Sequence, residues 1–264
     1  MNTEGRFIAV AYGGGVNSTA LLIEFARRKI IPGLIIFSDT GGERPETYLF
    51  VQRFSLWLQS QGLPAILTVK KGHRKGYPDE TLEQNCLRKA MLPSIAYGFK
   101  TCSEKFKIRA QEKFINRFPA THAIFKAGGK VLKVIGYDAG EPGRAKPYVH
   151  LRYDSCYPLV EWGFDREKCV AICTLAGFRP SKSSCFFCPS MTKPEIVQLR
   201  DEHPDLLARA LAMEDHAKEN LVTVKGLGRR FNWRQFIESL QKGDTDACKW
   251  EGDVETPCGC YDGG

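Results

Sequence analysis

Through the first half of the chain, short apolar runs alternate with longer helix-like stretches. Phe7 to Ala11, Leu34 to Ser38 and Ala65 to Val69 read as strands, while Ser18 to Arg28 and Pro45 to Gln61 read as the helices between them. Turn formers stand at the boundaries: Gly13-Gly14-Gly15 after the first strand, Ile31-Pro32-Gly33 after the first helix, Gly62-Leu63-Pro64 after the second. Alternation of this kind builds a parallel sheet with crossover helices, so the expected class is α/β, a Rossmann-like parallel sheet with flanking helices. A helix is expected over Ser103 to Arg117. Ala123 to Lys126 and Val131 to Tyr137 look like strands, the first also fitting a helix, and Val131 to Gly136 is the candidate fourth sheet strand.

Beyond Leu159 the pattern turns helical. Asp165 is placed to cap a helix reaching Ala176, Thr192-Lys193-Pro194-Glu195 has the spacing of a capping box, and Pro204 to Lys218 and Trp233 to Gln241 continue the series. The expected organisation is an α/β domain over 1–160 and a smaller, mainly helical, cysteine-containing region over 161–264 packed on it. The basic stretch from Lys70 to Tyr77 reads as a solvated loop or as a lid over a polyanion.

Composition narrows the class. With 264 residues, 43% hydrophobic and 26% charged, the chain has globular proportions, and no apolar run approaches the roughly 18 to 20 residues a membrane helix needs. The opening residues lack signal-peptide organisation, so a cytoplasmic protein with no membrane partner is expected. A formal net charge of +8 suits anionic partners such as nucleotides or nucleic acid. Ten cysteines are too sparse for a disulfide scaffold at this length and read as thiols, metal ligands or redox groups.

Ala11-Tyr12-Gly13-Gly14-Gly15-Val16-Asn17-Ser18-Thr19 places three glycines between a strand and a helix, where backbone N–H groups and the helix dipole can gather around phosphate. Neither Gly-x-x-x-x-Gly-Lys-Ser/Thr nor a proper Gly-x-Gly-x-x-Gly is present, since the third glycine of the latter would fall on Ser18. Gly13 to Ser18 instead resembles the Ser-Gly-Gly-x-Asp-Ser loop of the PP-loop ATP pyrophosphatases, the adenine nucleotide α-hydrolase group. Here Gly13 replaces the leading Ser and Asn17 the Asp. Asp39-Thr40-Gly41 with Pro45-Glu46-Thr47 resembles a segment of the phosphoadenosine-phosphosulfate reductase-like branch of that group. Gly136 to Arg144 resembles its Gly-x-x-x-x-Glu-x-x-Arg segment, and Thr101-Cys102-Ser103-Glu104-Lys105 its Cys-Thr/Ser...Lys element. The likeness spans about residues 7 to 210.

The resemblance implies ATP with its adenine over the second strand and its triphosphate at the loop, bound by Tyr12, Gly13, Gly14, Gly15, Asn17, Ser18, Thr19, Ser38, Asp39, Thr40 and Gly136. It implies cleavage between the α- and β-phosphates, with Mg2+ and with Ser18, Asp39, Arg144 and Lys105 as the catalytic candidates. For Arg144 a plain surface arginine is an equal reading, and Asp39 alternatively caps a turn.

Cys185-Phe186-Phe187-Cys188 is a Cys-x-x-Cys pair among turn formers, which lets two thiolates converge on one metal. Cys102 is a third candidate, with Cys258 as the fourth, or Cys260 or Cys86 in its place. By resemblance to the sulfur-handling PP-loop enzymes the expected group is a [4Fe-4S] cluster, with zinc or a redox dithiol as alternatives. Cys169 and Cys173, at i and i+4 of a helix, read as core thiols.

The expected activity is therefore an ATP pyrophosphatase that adenylates a substrate for sulfur transfer, with DNA or tRNA as acceptor and a cysteine desulfurase or another sulfur donor as partner. It is similar to the DNA-phosphorothioation ATP pyrophosphatases. Two alternatives stand beside it: a reductase of phosphoadenosine-phosphosulfate or adenylylsulfate, suggested by Cys258-Gly259, and a metal-stabilised nucleic-acid-binding module.

Overall fold

The computed structural model describes residues 3, 5–72, 81–93, 101–146, 150–228 and 230–243. Five parallel strands form its sheet: β1 (Ile8–Tyr12), β2 (Leu34–Asp39), β3 (Ile66–Lys70), β4 (Val131–Ile135) and β5 (Tyr153–Cys156), in the order β3-β2-β1-β4-β5. Every residue of β1, β2 and β4 is buried. Central parallel strands are covered on both faces, which is why these three read as continuous apolar runs instead of alternating ones. The α/β expectation holds.

The connecting helices are α1 (Val16–Arg27), α2 (Pro45–Ser60), α3 (Leu82–Lys89), α4 (Arg109–Arg117), α5 (Pro119–Lys126) and α6 (Pro158–Glu161). They are followed by α7 (Arg166–Leu175), α8 (Lys193–Glu202), α9 (Pro204–Ala217) and α10 (Trp233–Gln241). Asp165 Oδ1 accepts from Lys168 N at 2.8 Å and so caps α7. Thr192 and Glu195 form the expected capping box at the start of α8. Ala123 to Lys126 is helical, the end of α5: Pro119 starts the helix, and Ile124 and Phe125 pack on the sheet. The short edge strand β5, with Asp154 and Ser155 at its centre, has no apolar run to announce it. Helix α1 begins at Val16, so Asn17 and Ser18 lie in its first turn and not in the preceding loop.

On one face of the sheet, α1 is buried from Val16 to Phe25, with Cys169 and Cys173 of α7 packed in the same core. Phe54 of α2 meets Phe178 edge-on at 5.0 Å, and the Trp57 and Phe178 rings lie 5.3 Å apart. On the other face, α4 and α5 cover Ala9, Leu34, Ile36, Val131 and Tyr153. A separate core joins α3, α8, α9 and α10 with Phe106, Cys185, Phe186, Phe187 and Cys188. The cores do not divide at residue 160. Phe164, Cys169, Cys173 and Phe178 belong to the sheet's core, and Leu82, Cys86 and Phe106 to the helical one.

The helical core is fastened by one buried carboxylate. Glu214 of α9, 1% exposed, accepts hydrogen bonds from Leu227 N (2.6 Å), Trp233 N (2.9 Å) and Arg234 N (2.9 Å), tying the start of α10 to α9. Removing it strands these donors, at about 1 to 3 kcal/mol for a buried unsatisfied group. Glu214→Ala is therefore expected to lower stability by at least about 3 kcal/mol in urea titrations, whereas Glu238→Ala on α10 should stay within about 0.5 kcal/mol of wild type.

Candidate functional site

The sheet reverses its order between β1 and β4: β1 leads through α1 to β2 on one side, and β4 lies on the other. Ligands of open α/β sheets bind outside the carboxyl ends of the strands at such a reversal. Gly13-Gly14-Gly15 leaves β1 there, with Gly14 at φ +86°, a conformation side chains rarely adopt. Gly136 follows β4 and abuts the first turn of α1. A Cβ on it would lie 3.1 Å from both Cα and N of Ser18, so the absence of a side chain lets the two backbones approach.

No side chain caps α1: Gly15 occupies the N-cap, and Val16, Asn17 and Ser18 are buried. A buried helix start without a side-chain cap turns its first amides and the positive end of its dipole toward an anion. The Ser18 hydroxyl shapes the loop, accepting from Gly13 N at 3.3 Å and donating to Gly15 O at 3.2 Å. Near it, the buried hydroxyls of Thr47 and Ser184 have no hydrogen-bond partner among the described residues. Thr47 Cγ2 lies 3.5 Å from where a Gly14 Cβ would stand.

Asn17 joins two charged groups that the motif comparison does not single out. Its Nδ2 donates to Asp138 Oδ2 at 2.7 Å, and its Oδ1 accepts from Arg166 Nη1 at 3.0 Å. Asp138, 4% exposed, also accepts from Gly140 N at 2.8 Å. A carboxylate thus reaches the first turn of α1 from the end of β4. Its place two residues past Gly136 is a sequence signal; Arg166 offers none, because its position follows from α7 packing on α1.

The other expected residues are placed unevenly. The hydroxyls of Tyr12 and Thr19 bond each other at 3.2 Å within the core, and the Tyr12 ring stacks on Phe54 at 5.7 Å, so these side chains are turned inward. Ser38 Oγ donates to Lys107 O at 3.1 Å. Asp39 takes the turn-cap role: Oδ1 accepts from Gly41 N and from Tyr48 Oη, both at 2.7 Å, with Lys70 Nζ 3.4 Å from Oδ2. Burial and this carboxylate raise the Tyr48 hydroxyl well above its ordinary value. Arg144 pairs with Glu141 at 2.8 Å and lies 4.3 Å over the Tyr137 ring. Lys105 is exposed, whereas buried Lys107 stands 3.3 Å from buried Glu43.

Three of the predicted ligands come together. Cys102, Cys185 and Cys188 line one cavity with Thr40, Ser103 and Lys107. A π-helical turn over Ser103–Ile108 directly follows Cys102, the wider helical geometry often found at functional sites. Cys188 N donates to Cys185 O at 3.0 Å, a turn that wraps both thiols toward the cavity. Cys86 belongs to the same core, and Cys102 is near enough to disfavour its thiolate. Cys258 and Cys260, with Cys248, lie outside the described residues, as does the basic stretch from His73 to Tyr77.

The cysteine segment also touches the glycine loop. Ser183 Oγ donates to Gly13 O, Phe186 N donates to Gly42 O at 2.8 Å, and Cys185 Sγ lies 3.1 Å from Thr40 Oγ1. Among the described residues, the one group of three or more His, Cys, Asp or Glu with ligand atoms within 4.8 Å of one another is Glu46, Glu202 and His203. The thiols are therefore spaced around a cavity. One tetrahedral zinc, with Zn–S near 2.3 Å, would draw its sulfurs to about 3.8 Å of each other. No helix among the described residues is long and apolar enough to cross a membrane.

No protein-family model matches the sequence, and no curated protein matches it significantly.

Burial, with the Cys102 thiol adding to it, pushes Cys86 up to about 12; burial also pushes Cys169 and Cys173 up to about 12 and raises Cys185 well above its ordinary value. Each unit lowers the thiolate fraction tenfold, so in metal-free native protein at pH 8, Cys86, Cys169 and Cys173 should react with iodoacetamide about a thousandfold more slowly than in the urea-unfolded chain. Mass spectrometry of tryptic peptides checks this, and equal rates would contradict it.

Proposed function

We propose that this chain is an ATP pyrophosphatase of the PP-loop type, which cleaves ATP to AMP and pyrophosphate and adenylates a substrate for sulfur transfer to nucleic acid. The carrying observation is the buried first turn of α1, which no side chain caps, behind three glycines at the sheet's reversal point. The motif resemblance gives that site its reaction, and the net charge of +8 suits both ATP and a nucleic-acid acceptor.

In this reading the loop amides and the start of α1 hold the departing pyrophosphate, with Ser18 keeping the loop in shape. A substrate oxygen forms a bond to the α-phosphorus as the bond to the bridging oxygen breaks, and pyrophosphate leaves with the electron pair. A sulfur nucleophile from the donor protein then displaces AMP from the adenylated substrate. Arg166, held beside the loop through Asn17, offsets charge developing on the leaving group. Asp138, hydrogen-bonded to Asn17 in the first turn of α1, would with it hold Mg2+. When bound, that ion neutralises phosphate charge. Arg144 and Lys105 are the cations the motif resemblance expects, Arg144 held by Glu141 and Lys105 exposed, and Asp39 keeps the turn after β2 in place for the adenine.

Cys102, Cys185 and Cys188 would hold a [4Fe-4S] cluster, with Cys86, Cys258 or Cys260 as the fourth ligand; such a cluster supplies electron transfer or sulfur handling. Lys107 offsets the thiolates' negative charge.

The test is incubation of anaerobically purified protein with Mg2+ and α-labelled ATP, with and without DNA or tRNA. AMP and pyrophosphate are the expected products. Ser18→Ala should slow their formation about tenfold, the worth of one loop-shaping hydrogen bond. ADP as product, thioredoxin-dependent sulfite release, or salt-sensitive nucleic-acid binding without any ATP turnover would contradict the proposal.

A further inference from the structure

A second cavity, of about 430 Å3, opens between the start of α2 and the end of α8, bordered by Arg44, Glu46, Lys182, Gln198, Glu202 and His203. We infer that it is a divalent transition-metal site: Glu46, Glu202 and His203 bind one ion, whose remaining positions take an anionic group, phosphate or carboxylate, facing Arg44. This inference is independent of the nucleotide reading.

The ligand atoms of the three side chains lie within 4.8 Å of one another. Glu46 Oε2 and His203 Nε2 are 3.0 Å apart. Neighbouring ligands of an octahedral ion at about 2.1 Å stand about 3 Å apart, so the pair is already spaced for one metal. Without the ion the same spacing is a hydrogen bond, which an entering cation replaces. The backbone of His203 is fixed on both sides, its N–H donating to Leu199 O at 2.9 Å and its carbonyl accepting from Leu207 N at 3.1 Å. Ligands carried on rigid helix ends bind with little reordering.

The neighbouring charges divide the work. Glu195 is engaged by Lys182 at 2.9 Å and by its own capping box, whereas Glu46 meets His203 at 3.0 Å and Glu202 accepts from Gln198 Nε2 at 2.9 Å, contacts that an entering cation can displace. Arg44 gives the second observation. It is only 7% exposed, its Nε has no hydrogen-bond partner, and its closest carboxylate, on Glu46, is 3.9 Å away. A largely buried guanidinium that lines the cavity, with its carboxylate partner as far as 3.9 Å away, can take an anion there. Two carboxylates and one imidazole suit Mn2+, Fe2+ or Zn2+, and three protein ligands leave positions open for an exogenous group.

Mn2+ is the probe of choice, because soft thiolates bind it weakly and the cysteine pocket does not compete. The full chain, without nucleotide, is titrated with Mn2+ and the free ion followed by electron paramagnetic resonance. One Mn2+ per chain is expected at micromolar concentrations, displaced by Zn2+, with inorganic phosphate tightening uptake. His203→Ala and Glu202→Gln should each weaken uptake at least tenfold. Glu202 is exposed at the end of α8, so Glu202→Gln reads binding and not folding. No uptake by the wild type, or equal uptake by Glu202→Gln, would overturn the site. Phosphate without effect would overturn the role of Arg44.

Discussion

The arrangement depends on how the segment Ser183–Cys188 is laid across the carboxyl ends of β1 and β2. One hydrogen bond, from the Ser183 hydroxyl to the Gly13 carbonyl, fixes it to the glycine loop; another, from Phe186 N to Gly42 O, fixes it to the turn after β2. Phe186 and Phe187, fully buried and edge-to-face at 4.7 Å, anchor the segment in the helical core. Residues far apart in sequence are thereby held in one rigid contact, and a loop that could bind phosphate shares its wall with a pocket that could bind metal. A change at the thiols has a short physical route to the loop through Thr40 and Ser183.

Charge is handled with similar economy. Asn17 carries no charge, yet it bonds both Asp138 and Arg166, so the first turn of α1 is flanked by a carboxylate and a guanidinium drawn from β4 and α7. Glu43 and Lys107 are both withdrawn from solvent and stand 3.3 Å apart. Such a pair is costly to desolvate and to break, so Glu43 serves better as the fixed partner of Lys107 than as a reserve of stability.

Much of this was legible in the sequence where a local rule decides the outcome. Buried parallel strands show as apolar runs, the caps of α7 and α8 show as Asp165 and Thr192, and the glycine loop shows as three consecutive glycines. The meeting of Cys102, Cys185 and Cys188 at one cavity was foreshadowed by the Cys-x-x-Cys spacing and by the motif around Cys102. What stayed hidden depends on contacts between distant segments. Arg166 reaches Asn17 only because α7 packs on α1. Lys107, not Lys105, is the buried lysine of the π-helical turn, where it meets Glu43 from the turn after β2. The inward turn of Tyr12 and Thr19 follows from their mutual hydrogen bond under α2. The two cores could not be separated from the pattern, since α3 and α7 each pack with the half of the chain they do not belong to in sequence.

Amide hydrogen exchange with and without ATP and Mg2+ tests most directly whether the glycine loop binds ATP and is coupled to the cysteine segment. At ATP about one hundred times its Kd, bound-state stabilisation predicts about hundredfold slower exchange where opening of the site limits it. The account predicts that slowing at Gly13 to Ser18 and, through Ser183, at residues 183–188 together. Exchange at Gly13 to Ser18 unchanged by saturating ATP would contradict it.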